Sequence, residues 1–151
     1  MWPFTQQKQL SPDKLPVPDR WKLSEGQRDG KPIFVRTHTG YQDFRGVAGF
    51  EHQVGIAVPL RHADVEGLPT AIETQDLNTI EDAICSVFEP ECESLFVATI
   101  TTAGVREFVL YTRNPDEVKR KFKLLGDRIS SHKVHLRIQP DKGWDIYSKL
   151  I

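Results

Sequence analysis

The residues of this chain that could take part in chemistry are few, and their spacing suits none of the common catalytic or metal sites. His62, Asp64 and Glu66 occupy alternate positions after an expected strand, and His132 and His135 lie three positions apart. Because side chains three residues apart on a strand point to opposite faces, the histidine pair is not a chelate. The first group has the composition of a polar loop. The sequence therefore predicts no metal site and no cofactor.

The two cysteines and the usual catalytic motifs add no further candidate. Cys85 and Cys92 are separated by six residues, which fits neither a redox pair nor a paired metal-binding motif, so we predict two unpaired thiols. The chain contains no nucleophile elbow, zinc-protease helix motif, phosphate-binding loop or dinucleotide fingerprint. No catalytic residue is nominated, and the sequence leans against an enzyme.

Charge is distributed unevenly along the chain. Residues 62–104 contain nine Asp or Glu and no Lys or Arg, whereas residues 113–137 contain eight Lys or Arg and three Asp or Glu. Clustered cations on one face can neutralise phosphates or contact an acidic protein, which nominates Arg113, Lys119 and Lys121. The favoured alternative is that an acidic and a basic helix lie side by side and offset each other's field.

An RNA-binding sheet would require exposed aromatic residues on the strand near 105–112. Phe108 and Tyr111 fit part of that pattern, but Arg106 occupies the position where a stacking aromatic belongs. The strand at 53–60 offers no aromatic partner. RNA is therefore disfavoured, and Arg106 is kept as a candidate binding residue.

Aromatic residues also gather near the C-terminus. Tyr111, His135, Arg137, Trp144 and Tyr147 would line one concavity if the tail folded back over an open sheet face. Such a concavity would offer stacking and cationic groups to a small anion or a peptide. The favoured alternative is that Trp144 and Tyr147 plug the edge of the core.

The periodicity of apolar residues predicts the elements that position these groups. Helical spacing predicts one helix over 71–88 and a second from Asn114, which caps the first turn before Pro115. Apolar runs predict strands at 31–38, 53–60, 94–102, 105–113 and 133–139. Four prolines predict that residues 1–20 form an extended or disordered lead, and one α+β domain then covers 21–151.

The order of these elements predicts a ferredoxin-like split βαβ fold. After the strand at 31–38 the order is βαββαβ, which places two helices on one face of an antiparallel sheet and leaves the other face open. The strand at 31–38 is one extra N-terminal strand. It either extends an edge of the sheet or displaces the last strand.

Four short motifs, in their order along the chain, resemble a bacterial family, the domain of unknown function 695 family. They are DGKP at 29–32, LNTIED at 77–82, TAGVREF at 102–108 and WDIY at 144–147. Together they span about residues 21–150. The resemblance implies a shared fold and no particular activity.

Composition narrows the possible partners and location. With 20 Lys and Arg against 21 Asp and Glu, the total charge predicts neither nucleic acid nor an anionic membrane as partner. The apolar start, residues 1–4, is too short for a signal peptide or a spanning helix, so we expect a cytoplasmic protein.

The sequence favours a non-enzymatic binding or regulatory module that contacts another protein. The contact would involve the basic second helix, or the open sheet face with its aromatic tail. The alternatives are a small enzyme with a site near that tail, and an RNA-associated regulator using the second helix. The candidate binding residues are Arg106, Tyr111, Arg113, Lys119, Lys121, His135, Arg137, Trp144 and Tyr147.

Overall fold

The computed structural model describes residues 15–151. The predicted lead at 1–20 lies outside the described residues as far as residue 14, and residues 15–20 form neither helix nor strand. Within the described part, none of the helices is long and apolar enough to cross a membrane.

The core of the protein is a six-stranded antiparallel sheet with the strand order β1-β2-β4-β5-β3-β6. The strands are β1 Trp21–Arg28, β2 Lys31–His38, β3 His52–Pro59, β4 Ser94–Thr102, β5 Val105–Thr112 and β6 His135–Pro140. The α-helices are α1 Ala71–Phe88, α2 Pro115–Arg128 and the short α3 Asp145–Leu150. The protein is therefore of mixed α and β class, as the sequence predicted.

The prediction of one extra N-terminal strand was wrong, because the structure has two. β1 was missed since Trp21 and Leu23 are its only large apolar residues, which leaves no alternating pattern to detect. It pairs with β2 through a tight turn at Asp29 and Gly30, both of which have positive φ as a two-residue hairpin requires. β2 in turn pairs with β4 and extends the edge of the sheet opposite β6.

Helices α1 and α2 share one apolar core with the sheet. Leu77, Ile80 and Ile84 of α1 are buried with Val118 and Leu125 of α2, and the sheet contributes residues from β3, β4 and β5. Both predicted helix starts are confirmed: Thr70 caps α1, and Asn114 accepts a hydrogen bond from the Glu117 amide at 3.1 Å ahead of Pro115. The acidic and basic helices do lie side by side.

The opposite face of the sheet carries a second buried layer, which corrects the expectation of an open face. The 3₁₀ helix Thr39–Phe44, the loop that follows it and α3 cover β4 and β5 there. The buried residues of this layer are Tyr41, Phe44, Val47, Phe50, Leu95, Val97, Ala98, Val109, Tyr111, Trp144 and Tyr147. The part of this face near β6 remains exposed.

Trp144 anchors the C-terminal tail to this second layer. Its ring stacks on that of Tyr111 with centroids 4.1 Å apart and planes within 9°, and its Nε1 donates to the carbonyl of Phe50 at 2.8 Å. The Tyr111 hydroxyl donates to Asp141 at 2.6 Å, and the Tyr147 hydroxyl donates to the His38 carbonyl at 2.7 Å. The interpretation of Trp144 and Tyr147 as core residues is confirmed, since both are fully buried.

Truncating Trp144 should therefore destabilise the whole fold. Trp144→Ala is expected to lower the free energy of unfolding by about 3–5 kcal/mol, because the ring leaves a cavity and Phe50 loses a donor. Urea denaturation followed by circular dichroism measures the change. Leu124→Ala, at a side chain that is 50% exposed, should cost less than about 1 kcal/mol. Equal losses in the two variants would contradict the anchoring role.

Candidate functional site

A cleft of about 660 Å³ lies between α1 and the β1–β2 hairpin. It exists because β1 and β2 extend the sheet beyond β4, on the side of the sheet that α1 covers. The segment that precedes β1 closes one side through Pro16, Val17 and Asp19. Cavities of this size accommodate small ligands.

Strand and helix periodicity brings the polar side chains of the cleft together. On β2, Arg36 and His38 face α1, while Thr37 between them points to the other layer and donates to the Leu150 carbonyl at 3.5 Å. Glu81, Cys85 and Glu89 follow one another at spacings of four residues and form a single row along α1 and its C-cap.

An aromatic wall closes the cleft on the side of the sheet. Trp21 lies opposite His38 in the strand register, with ring centroids 4.8 Å apart, and its ring also lies 5.3 Å from that of Phe96. The Arg36 guanidinium carbon lies 4.7 Å from the centre of the Trp21 ring, and this side chain also pairs with Glu81 at 2.5 Å. The charge of Arg36 is thus already compensated.

His38 is held as a neutral imidazole whose Nε2–H group lies next to Asp19. The Gly40 amide donates to Nδ1 at 3.2 Å, which assigns the ring proton to Nε2. Nε2 lies 3.4 Å from Asp19 Oδ1. Desolvation lowers the pKa of His38 despite the opposing effect of Asp19, so the neutral form prevails at neutral pH.

Glu89 is a carboxyl group in an unfavourable environment for its charge. Burial raises its pKa, and the negative charges of Asp19 and Glu81 add to that effect. Hydrogen bonds from the Cys85 thiol and from the Phe96 amide, at 3.4 Å, compensate only in part. Burial and the neighbouring Glu89 also raise the pKa of the Cys85 thiol, which argues against Cys85 as a nucleophile.

Tyr41 contributes a hydroxyl group with no hydrogen-bond partner among residues 15–151. The side chain is 5% exposed, lines the cleft, and has a pKa raised by burial and by Glu89. Side chains with displaced pKa values in one cleft are a physical signature of functional sites. The cleft offers hydrogen bonds and aromatic contacts, and within the described part of the chain no three His, Cys, Asp or Glu side chains converge to hold a metal ion.

The aromatic candidate residues from the sequence do not line an open site. Tyr111, Trp144 and Tyr147 are fully buried in the second layer. His135 and Arg137 lie exposed on β6, where Arg137 approaches Glu107 at 3.6 Å. The tail does fold back over the sheet, but in doing so it buries the aromatic rings and leaves the two basic side chains outside.

The basic candidate residues are distributed over the surface and partly satisfied by neighbours. Lys121 pairs with Glu93 at 3.0 Å, and Arg113 lies over the Phe50 ring and donates to the Cys92 carbonyl at 3.0 Å. Arg106 donates to the Thr101 hydroxyl at 2.9 Å. Lys119 is exposed on α2. These residues are thus not brought together with the aromatic set.

Sequence reasoning missed the cleft because its walls come from distant segments. Arg36 and Glu81 are 45 residues apart in the chain, and their contact depends on the pairing of β2 with β4. The row of Glu81, Cys85 and Glu89 at helical spacing was a usable signal, but it indicated only one wall.

A second ionisable pair, outside the cleft, joins the start of α1 to the segment after α2. Glu73 and His132 are 1% and 8% exposed, and their side chains meet at 2.6 Å. Burial disfavours the Glu73 carboxylate, but hydrogen bonds from His132 and from the amides of Arg61 and His62 outweigh it and lower its pKa. Glu73 is therefore a satisfied structural carboxylate, in contrast to Glu89.

One known protein family matches this chain. The structure defines an α+β protein with a six-stranded antiparallel sheet and a ligand-sized cleft beside α1. The family of unknown function DUF695 matches residues 19–151, and the chain therefore belongs to that family, which confirms the resemblance carried by the four motifs. Comparisons with curated proteins and with solved structures find no match.

Isosteric amides at the two carboxylates should have opposite effects on stability. The pKa of Glu73 is lower in the folded protein than in the unfolded chain, so its carboxylate stabilises the fold at pH values above the ordinary carboxyl pKa. This stabilisation is lost as the pH falls through the pKa of Glu73 in the folded protein. The pKa of Glu89 is higher in the folded protein than in the unfolded chain, so the protonated carboxyl group stabilises the fold in acid. This stabilisation is lost as the pH rises through the pKa of Glu89 in the folded protein. At neutral pH, Glu73→Gln should cost about 3 kcal/mol, while Glu89→Gln should leave stability unchanged or increased.

Urea denaturation of wild type and both variants, from about pH 2.5 to about pH 8, tests this contrast. Both differences from wild type should shrink in acid, where the carboxyl groups become protonated. Similar losses in the two variants at neutral pH would refute the opposite roles of Glu73 and Glu89.

Proposed function

We propose that this protein is a non-enzymatic binding module whose ligand occupies the cleft between α1 and β2. The observation that carries the proposal is the Glu89 carboxyl group, which lines the cleft, is partly buried and has no cationic partner among the described lining residues. A bound ligand would supply the missing partner and compensate the burial of this group. The neutral N–H of His38 faces the same space.

The chemical state of the cleft supports binding more than catalysis. The raised pKa of Cys85 keeps the thiol protonated, so the cleft lacks its most direct nucleophile. The Arg36 charge is neutralised by Glu81. Trp21 and Phe96 offer apolar surface for stacking, and Tyr41, His38 and Glu89 offer directional hydrogen bonds. We also propose a regulatory role in the cytoplasm, as the sequence favours.

A second candidate function is contact with an acidic protein through α2. Lys119 and Lys123 are exposed, and Leu124 beside them is 50% exposed. Basic side chains around an exposed apolar residue are typical of a protein contact surface. Contact with RNA uses the same cations and is the less favoured form of this candidate.

Charge reversal on α2 tests the second candidate. Lys119→Glu with Lys123→Glu should abolish co-purification of the native partner from cells. The reason is that the positive surface of α2, which attracts an acidic protein, becomes negative and repels it. Lys22→Glu with Lys31→Glu, on the exposed β1–β2 hairpin, is the matched control and should keep the partner. An unchanged complex with the α2 variant, or loss of the complex after ribonuclease treatment, would contradict a protein contact through α2.

We also propose that β3, α1, β4, β5, α2 and β6 form a ferredoxin-like split βαβ unit. The support is that β5 lies between β3 and β4, that β6 pairs with the outer side of β3, and that α1 and α2 share one core. The β1–β2 hairpin then extends this unit at β4 and supplies the second wall of the cleft.

Removal of one hydroxyl group tests the cleft as a binding site. Tyr41→Phe should preserve stability, because no described protein group loses a hydrogen bond, but should weaken ligand binding by about fivefold to tenfold. Tyr147→Phe is the matched control: it removes the bond to the His38 carbonyl and should cost about 1 kcal/mol of stability, with little effect on affinity. A nuclear magnetic resonance screen with amines, carboxylates, sugars and nucleotides supplies the ligand. Compounds that bind only outside the cleft would refute the proposal.

A further inference from the structure

The charges that face the cleft are predominantly negative. Asp19, Glu81 and Glu89 face it, whereas Arg36 is the one cation among its described lining residues and is paired with Glu81. Asp19 is 85% exposed at its side chain, accepts a hydrogen bond from Trp21 Nε1 at 2.7 Å and lies 3.4 Å from the neutral His38 ring. Two carboxylates, Asp19 and Glu89, are therefore left without a cationic partner among the described lining residues.

The end of α1 adds to this negative field. The C-terminus of an α-helix carries a partial negative charge, which basic residues in the last turn usually compensate. The last turn of α1 has no basic residue, and Glu89 follows it directly as the C-cap. The consequences appear at neighbouring groups, because negative charge contributes to the raised pKa values of Glu89, Tyr41 and Cys85.

The aromatic side chains are suited to a positive ligand as well. The face of an indole or phenol ring attracts ammonium and guanidinium groups within about 6 Å. Trp21 already accepts the Arg36 guanidinium at 4.7 Å from its ring centre. Tyr41 stands on the other side of His38, with ring centroids 4.6 Å apart, and its hydroxyl oxygen can accept a hydrogen bond.

We propose that the ligand of this cleft carries an organic cation, a primary ammonium or a guanidinium, which Glu89 and the Tyr41 hydroxyl bind. The ammonium or guanidinium N–H groups donate to the Glu89 carboxylate and to the Tyr41 oxygen, and the carbon stem of the ligand packs on Trp21. Asp19 attracts the cation at the entrance. This inference rests on the proposed function, because it specifies the ligand class of the same cleft.

A nuclear magnetic resonance titration of the full chain tests the charge of the ligand. The probes are n-butylammonium, methylguanidinium, the neutral n-butanol and the anion butyrate, with shifts followed at Trp21, His38 and Phe96. The two cations should shift these resonances with an affinity that falls as salt is added, and n-butanol and butyrate should not. Failure of both cations, or preferential binding of butyrate or n-butanol in the cleft, overturns the inference.

Glu89→Gln isolates the proposed charge interaction. This variant should weaken binding of both cations by about tenfold or more, because a charge-assisted hydrogen bond is lost. Glu91→Gln, at an exposed carboxylate that does not line the cleft, should bind them as wild type does. Undiminished binding to the Glu89 variant overturns the inference even if the cations bind in the cleft.

Two further comparisons identify the source of the cation and distinguish a failure of this inference from a failure of the proposed function. A capped peptide with one central lysine, compared with the same peptide acetylated at that lysine, distinguishes a protein side chain from a free amine. Binding of the lysine peptide and of n-butylammonium both support the inference. If a neutral or anionic compound binds in the cleft, the proposed function stands and only the inference that the ligand is a cation is refuted. A cleft that no class of compound perturbs refutes both.

Discussion

The pairing of β2 with β4 is the contact on which both the second core layer and the cleft depend. It places the alternating side chains of β2 on two different surfaces. Arg36 and His38 reach the cleft beside α1, while Thr37 and the His38 backbone carbonyl bond the C-terminal tail. A shift of the register by one residue would exchange these two sets of side chains. The position of β2 is therefore fixed from both sides of the sheet.

Two carboxylates of the α1 region show how the protein separates stability from binding. Glu73 begins the helix and receives hydrogen bonds from His132 and from two backbone amides, so its burial is fully compensated. Glu89 ends the helix and is only partly compensated, with two further carboxylates facing the same cleft. A site that is left unsatisfied in the free protein gains most from a ligand that satisfies it. The contrast between the two residues is the main physical reason to assign binding to the cleft.

The second layer explains why the aromatic tail is structural. Trp144 and Tyr147 cover β4 and β5 together with the segment from Tyr41 to Phe50, and every polar atom of the tail rings has a described partner. Tyr111 and Asp141 connect the sheet to the start of α3 through a 2.6 Å hydrogen bond. Tyr41 belongs to this layer by its ring, but its hydroxyl emerges in the cleft. The second layer thus supplies one of the groups proposed to bind the ligand.

The local chemistry of the sequence determined most elements. Apolar spacing located α1, α2 and five of the six strands, and Asn114 with Pro115 located the start of α2, because periodicity and capping act over a few residues. Only the tertiary structure decided which faces are covered and where a site forms. β1 lacks an apolar pattern and exists through its pairing with β2, and the cleft joins residues as far apart as Trp21 and Glu89. Contacts between distant segments depend on strand order and register, which no local pattern encodes.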